Sequence, residues 1–274
     1  MRRYIIALAA FTALPATAQT PEMALWRLDC GRIVVNDLNM FSDTLDYSGK
    51  SKELTDSCYL IRHDDSYMLW DAGLPAAMLG AENDPAQPAV PILDRLLTDQ
   101  LAEIGVTADQ ISTIGISHNH FDHLGQAADF PQARLLIGAL DWQGLQASPP
   151  SYGADPALVQ PWLDAGKVEP VHGDLDIFGD GSAMMLTMPG HTAGETALLL
   201  RLPETGPVLL SGDVAHFTEQ LANERVPPIN FDRADSLAAM DRLRDVAAST
   251  GATIVIQHEP ADIAKLPAFP DPAR

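Results

Sequence analysis

The sequence predicts a layered α/β protein, and three observations carry the prediction. Short apolar runs of strand length are interspersed with segments of helical period along the whole chain. No period of 20–50 residues repeats strictly and no linker-like composition divides the chain, so a solenoid is excluded and a single body after the N-terminal segment, residues 19–274, is expected. Four widely separated apolar runs each end in a side chain able to hold a metal. In layered α/β folds strand ends gather along one edge, where ligand sites form.

Taken in order, Ala24–Leu28 and Arg32–Val35 alternate as strands do, with Gly31 between them. Asn36–Lys52 is polar with scattered apolars and reads as a long loop. Cys58–Arg62 and Tyr67–Trp70 are strands joined by the turn-like His63–Ser66, and the second ends in Asp71-Ala72-Gly73. The Pro-rich Leu74–Pro91 is a loop; Ile92–Ile104 then places Leu93, Leu96, Leu97, Leu101 and Ile104 at helical spacing before Gly105. The strand Ile111–Ile116 follows, then a helix from Gln126 to Phe130, a strand at Leu135–Ile137, and helices at Asp141–Ala147 and Ala154–Ala165 around a Pro/Ser/Gly-rich Ser148–Gly153. Strands at Val168–Val171, Ala183–Met188, Thr196–Arg201 and Val208–Ser211 lead to an amphipathic helix, Arg233–Ala248. It buries Leu237, Met240, Leu243 and Val246, and a last strand, Thr253–Gln257, follows.

Composition bounds the partners. The chain has 274 residues, 46% apolar and 20% charged, with a formal net charge of −20. Such a surface repels nucleic acid and anionic lipid, and no basic patch relieves it; neutral or cationic small molecules fit better. Met1-Arg2-Arg3, the apolar Tyr4–Leu14 and Ala16-Thr17-Ala18 read as a signal peptide cleaved after Ala18, too short to span a membrane comfortably. The mature protein is then expected to be exported, periplasmic or secreted, with no membrane span. Cys30 and Cys58 are compatible with one disulfide in an exported chain, or with two buried thiols.

The chemistry centres on Ser117-His118-Asn119-His120-Phe121-Asp122-His123, in the pattern H-x-H-x-D-H directly after an Ile-rich strand. Alternate residues of extended chain share a face, so His118 and His120 point one way, and the following turn brings Asp122 and His123 to the same space. Neutral imidazole is the commonest protein metal ligand, and carboxylates suit the same borderline cations. The other strand-end residues are His191 in Pro189-Gly190-His191-Thr192, Asp213 in Ser211-Gly212-Asp213, and His258 in Gln257-His258-Glu259. Five of the eight histidines thus fall in one set, leaving His63, His172 and His216 outside.

This constellation resembles the dinuclear motif of the metallo-β-lactamase fold superfamily, over roughly Thr55–Pro260. The resemblance implies a four-layer αβ/βα sandwich with the metals at one edge. It implies that His118, His120 and His191 hold one metal, that Asp122, His123 and His258 hold a second, and that Asp213 bridges them. Asp71, in its D-x-G turn, would support the site from behind. Two divalent ions, zinc by default with iron, cobalt or manganese as alternatives, would ionise a shared water, so no activated Ser or Cys is needed. Asp122 could also relay a proton to the leaving group.

Within that superfamily the S-H-x-H-F-D-H form, the P-G-H-T-x-G turn, Asp213 and the terminal Q-H are most similar to the N-acyl-homoserine lactonases, the quorum-quenching branch. That resemblance implies opening of a lactone ring, and a homodimer. One departure stands out: those lactonases commonly place a tyrosine three residues after the bridging Asp, whereas this chain has His216. His216 is therefore a candidate catalytic contact to the substrate oxygens, with a supporting or surface role as the alternative. Leu38, Met40, Phe41 and Phe217 are candidate apolar walls for an acyl chain, though such residues often pack on their own core. The runner-up reading is an exported organophosphate hydrolase of the methyl-parathion type. A B3-like β-lactamase is disfavoured by Asp213, and a glyoxalase II-like thioesterase by export and a missing helical domain. A non-catalytic scaffold is disfavoured by the full set of seven ligands.

Overall fold

Alternation along the strands decides the layering. In the computed structural model, which describes residues 21–164 and 166–274, twelve strands form two sheets; the expected signal peptide, 1–18, lies outside the described residues. The first sheet comprises β1 (Met23–Val35), β2 (Lys52–His63), β3 (Ser66–Trp70), β4 (Ala89–Ile92), β5 (Ile111–Ile116), β6 (Arg134–Gly138) and β7 (Val168–Val171), in the order β4-β1-β2-β3-β5-β6-β7. Its β1, β2 and β4 pairings and β2–β3 are antiparallel, while β3, β5, β6 and β7 run parallel. The second comprises β8 (Leu175–Asp176), β9 (Ala183–Thr187), β10 (Thr196–Leu202), β11 (Gly206–Leu210) and β12 (Thr253–Val255), in the order β12-β11-β10-β9-β8.

On β2, Tyr59 and Ile61 face the second sheet while Cys58 and Leu60 face outward. On β10, Leu198 and Leu200 face the first sheet while Ala197 and Leu199 face outward. The period of two thus feeds three separate cores, as a sheet covered on both sides requires. The outer face of the first sheet is covered by α1 (Leu97–Glu103), α2 (Phe121–Leu124), α3 (Ala139–Gln146) and α4 (Gln160–Asp164), through Leu97, Leu101, Leu124, Trp142, Leu145 and Trp162. After the short α5 (Thr218–Asn223), α6 (Arg233–Thr250) covers the second sheet with Ala239, Met240, Leu243 and Ala247. The result is helix, sheet, sheet, helix. Burying each strand's two faces in different cores is what produces it.

The structure revises several expected boundaries. The two strands expected around Gly31 are one, β1, carried through a bulge between Asp29 and Gly31. Gly31 has φ +118°, and a Cβ there would lie 2.8 Å from the Ile92 carbonyl oxygen, so only glycine fits. Beside that bulge Cys30 and Cys58 form a disulfide, Cα to Cα 5.7 Å. Closing a loop of this length limits the unfolded chain by on the order of 3 kcal/mol. The helix expected from Ile92 starts only at Leu97, because Ile92 pairs with Arg32 in β4 and Leu93 bridges Leu79. Leucine spacing was shared between a strand end and a helix. The expected helix at Gln126–Phe130 is a single 3₁₀ turn, Ala127–Asp129, and Ala154–Ala165 divides into a 3₁₀ turn, Pro156–Val159, and α4. The loop Asn36–Lys52 contains the 3₁₀ turn Leu38–Phe41, capped by the Asp37 side chain. On α6, Leu237 and Val246 are only half-buried, and Ser236 and Ala247 take the inward positions instead.

Candidate metal centre

Every strand end expected to deliver a ligand reaches one edge of the sandwich. β5 runs into Ser117–His120, and the single turn of α2 presents Asp122 and His123. β9 runs into His191, β11 into Asp213 and β12 into His258. Close approach explains the glycines beside two of them. At Gly190 (φ +147°) a Cβ would meet the Ser236 amide at 2.4 Å, and at Gly212 (φ +55°) it would meet Glu195 Oε1 at 2.3 Å. Asp71 adopts φ +59°, which a non-glycine residue tolerates at some cost when its surroundings hold it. Its Oδ1 accepts from the Ser117 amide (2.7 Å) and its Oδ2 from His123 Nδ1 (3.0 Å).

The side chains converge in two groups with Asp213 between them. Asp213 Oδ2 lies 3.5 Å from His191 Nε2 and 3.8 Å from His118 Nε2, and His191 Nε2 lies 3.0 Å from His120 Nδ1. Asp213 Oδ1 lies 3.0 Å from His258 Nε2 and 3.5 Å from His123 Nε2, with Asp122 Oδ2 3.9 Å from His258 Nε2. His118, His120 and His191 offer ligand atoms within 4.8 Å of one another, and so do Asp122, His123 and His258. His118 Nε2, His123 Nε2 and Asp213 Oδ1 are buried without a hydrogen-bond partner. Buried polar atoms left unpaired in this way are costly unless a bound group pairs with them. The residues fit a pair of divalent cations: five imidazoles and two carboxylates, with one carboxylate oxygen turned to each group.

Behind the centre, four imidazoles use their other nitrogen. His123 Nδ1 donates to Asp71, His191 Nδ1 to Asn230 Oδ1 (2.9 Å) and His258 Nδ1 to the Thr55 carbonyl (2.7 Å). His118 Nδ1 lies 3.2 Å from Ser117 Oγ and 3.3 Å from Glu195 Oε2. Such contacts fix the tautomer so that Nε2 keeps its lone pair for the centre. His120 is reversed: Nδ1 faces the centre, and its ring packs against Gly153, where a Cβ would come within 2.3 Å.

Two buried carboxylates hold these loops together, and neither was singled out in the sequence. Glu195 Oε1 accepts from the Asp213 amide (2.9 Å) while Oε2 approaches His118. Asp141, on α3, accepts from the Asn119 amide (3.2 Å), Thr192 Oγ1 (2.7 Å) and the Gly194 amide (2.8 Å), tying the His118–His123 loop to the His191 loop. Burial pushes the Asp141 carboxyl up to about 6 against those three hydrogen bonds. Burial and the neighbouring Asp213 push Glu195 well above the usual range. For Glu195 the local clue was polarity where a buried strand begins; Asp141, within α3, carried none.

The protonation pattern of the metal-free centre is divided. Burial lowers His118 and His191 well below the ordinary imidazole value, assisted by adjacent histidines, and lowers His120 as well. Burial would lower His258 too, but Asp213 and Asp122 outweigh it and raise the group to about 9. His123 is raised well above its usual range by Asp213, Asp71 and Asp122 against burial. Burial opposes ionisation of Asp213, yet His258, His216 and His123 together hold it well below the usual carboxylate range.

His216 joins the centre rather than the surface. Its Nδ1 donates to Gln220 Oε1 (3.0 Å), which also accepts from the His216 amide (2.6 Å), and its Nε2 lies 3.1 Å from Asp213 Oδ2. The ring stacks on His258 at 5.7 Å and meets Phe41 edge-on at 4.7 Å. Gln220 belongs to α5, an element the sequence reading did not contain.

A cavity of about 460 Å³ opens over the centre, with Asp122, Asp213, His216 and His258 on its floor and Ile33, Met40, Phe41, Leu54, Pro91 and Phe121 among its walls. Of the four expected wall residues, Met40 and Phe41 line it. Leu38 and Phe217 do not: they pack with Val35, Tyr47 and Leu54 in a small core behind the wall. Leu38 and Phe41 stand three apart on the 3₁₀ turn and so share its inward face, and the larger Phe41 extends from the small core to the opening, whereas Phe217, just before α5, stays within that core. Tyr152, from the Ser148–Gly153 segment, and Ile229 also line the cavity and were missed.

Residues 53–258 match the model of the metallo-beta-lactamase superfamily. The N-acyl homoserine lactonase AttM of Rhizobium johnstonii is 27% identical over 227 residues, covering 78% of this chain and 85% of that protein. An N-acyl homoserine lactonase of Bacillus thuringiensis is 24% identical over 219 residues, covering 77% of this chain and 84% of its own length. Among solved structures, an N-acyl homoserine lactone hydrolase with the product N-hexanoyl-L-homoserine bound at its catalytic metal center superposes with a TM-score of 0.79 at 22% identity, covering 93% of this chain and 100% of that one. A dizinc quorum-quenching lactonase superposes with a TM-score of 0.65 at 18% identity, covering 93% and 90%. With the family model spanning every strand-end ligand from His118 to His258, the chain belongs to the metallo-beta-lactamase superfamily.

Proposed function

We propose that this protein is a dinuclear metal-dependent hydrolase that opens the lactone ring of N-acyl-homoserine lactones. One observation carries the reading: Asp213 turns one carboxylate oxygen to each of two imidazole groups at the floor of an apolar cavity. His118, His120 and His191 would hold one cation, Asp122, His123 and His258 the other, and Asp213 both. Such a pair, when bound, polarises a carbonyl and lowers the pKa of water towards neutrality. The chain's own residues do the rest. Met40, Phe41 and Phe121 exclude water and receive the acyl chain. Asp122, facing the cavity beside His258, relays a proton to the ring oxygen as it leaves. His216, held by Gln220 with Nε2 towards the reacting groups, contacts the carbonyl or leaving oxygen.

Zinc is the default metal from the nitrogen and oxygen donor set, and export is the expected location. The Cys30–Cys58 bond supports that location, since such bonds persist in oxidising compartments. The test is mature protein reconstituted with zinc, manganese, cobalt or iron, assayed by pH-stat against a C6–C12 acyl-homoserine lactone series. Paraoxon, nitrocefin and a glutathione thioester serve as comparators. Lactone opening that is abolished by chelation and restored by metal is the expected result. Turnover of a comparator in preference to every lactone would overturn the assignment.

A further inference from the structure

The metal centre has a second cavity beside it. About 360 Å³ in volume, it shares His120, Tyr152, His191 and Ile229 with the first cavity, so it abuts one of the two ligand groups. Seven large hydrophobic side chains are exposed among the described residues, and four of them surround this opening: Leu140 at 54%, Tyr152 at 68%, Ile229 at 37% and Phe231 at 67%. Large apolar side chains concentrated at one mouth mark a binding surface, whereas scattered ones do not. The floor is fixed by hydrogen bonds. Asn119 is buried there, and its Nδ2 is spent on Ser151 Oγ and the Asp141 carbonyl, so the opening is predominantly apolar above a rigid base.

A lactone has little use for this space. Its carbonyl carbon and leaving oxygen are tied in one small ring, and only the acylamino arm projects, for which the first cavity suffices. An acyclic ester projects two arms from the reacting carbonyl, one from the acyl side and one from the alcohol side. We propose that the second cavity binds the alcohol arm of acyclic carboxylic esters, and that the protein hydrolyses medium-chain esters of bulky apolar alcohols besides lactones. The inference rests on reading the centre as a metal-dependent carboxylic ester hydrolase. In the reaction a water oxygen bonds to the acyl carbon and the bond from that carbon to the alcohol oxygen breaks. One water proton passes to the departing alkoxide, the other ends in solvent, and the products are a carboxylate and a free alcohol. Tyr152, common to both linings and 6.2 Å from the His120 ring, stands between the arms.

The test compares cyclohexylmethyl hexanoate with ethyl hexanoate on metal-loaded protein, with N-hexanoyl-homoserine lactone alongside. These two alcohols differ far more in bulk than in acidity. Burying the larger arm should favour the cyclohexylmethyl ester by about tenfold in kcat/KM. Phe231→Ala and Leu140→Asp, each checked for native circular dichroism and metal content, should shrink that preference severalfold. Product inhibition by cyclohexylmethanol should weaken in parallel, as an arm-binding site requires. Equal turnover of the two esters, or a preference that survives both substitutions, would overturn the proposal. If the lactone opens while neither ester reacts, this inference alone falls; if nothing is hydrolysed, the reading of the whole centre falls with it.

Discussion

The floor and the walls of the principal cavity are built on different plans. On the floor every reacting side chain is buried and comes from the end of a strand or the turn beside it, and His123, His118, His191 and His258 are braced from behind by Asp71, Glu195, Asn230 and the Thr55 carbonyl. The walls come from a 3₁₀ turn, a strand edge and the Ser148–Gly153 segment, and they include the exposed Tyr152 and Ile229. Rigid elements hold chemistry to fractions of an ångström, while loops can be exchanged without disturbing it. Substitutions of the metal-holding residues on the floor should therefore change metal content and rate together. Those in the walls should change only which substrate is preferred.

Asp213 tests that contrast hardest, because it alone faces both imidazole groups. Asp213→Ala should lower kcat by ~10³-fold or more and leave no more than one metal per chain in elemental analysis. Two retained ions would show that the carboxylate is not shared. One layer back, Glu195→Ala and Asp141→Ala should each weaken metal retention by ~10–100-fold against a competing chelator. Glu195→Gln keeps an acceptor for the Asp213 amide and should recover part of the loss. If both alanine variants held metal like the parent, the bracing described above would be structural only. His216→Ala marks the boundary between the regions: turnover should fall by ~10-fold or more with both metals kept.

The floor should also reveal itself through protons. In metal-free protein His258 is held charged up to about pH 9, although burial opposes it, because Asp213 and Asp122 prevail. A raised imidazole contributes stability that is complete below the unfolded value of about 6.5 and disappears as pH rises through the folded one. His123 adds to the same trend. Metal-free protein should thus lose thermal stability from pH 6.5 to 9, and metal-loaded protein, whose imidazoles are already neutral ligands, should not. Calorimetric titration at pH 7 in buffers of different ionisation enthalpy should find protons released on metal uptake. Parallel melting curves for the two forms would contradict this account.

The same contrast explains what could be read from the sequence. Ligands at strand ends were legible because each combines a strong local signal, an apolar run, with a chemically rare side chain immediately after it. The braces were not: Asp141 and Glu195 are ordinary acidic residues until folding places them against loops about 50 and 18 positions away. β4 was hidden because its Val90-Pro91-Ile92 leads directly into a leucine pattern that belongs to α1. The layering was legible through alternation, whereas the walls were not, since Leu38 and Phe41 share one face of a 3₁₀ turn and one small core, and only Phe41 also reaches the cavity.

The smallest expected effect lies there. Phe41 touches both His216 and Phe217, so it joins the wall to the small core behind it. Phe41→Ala removes apolar area from the cavity and a support from the His216 ring. Met40→Ala removes wall area and some packing on the small core, but no support from the His216 ring, whose edge-on partner is Phe41. For Met40→Ala, KM should therefore rise by only ~3–10-fold for a C10 lactone, less for a C6 lactone, with kcat and metal content unchanged. Phe41→Ala should show the same chain-length trend plus a fall in kcat, because His216 loses its packing partner. A kcat loss in Met40→Ala equal to that in Phe41→Ala would mean that walls and floor are mechanically one unit, and the division between them would have to be abandoned.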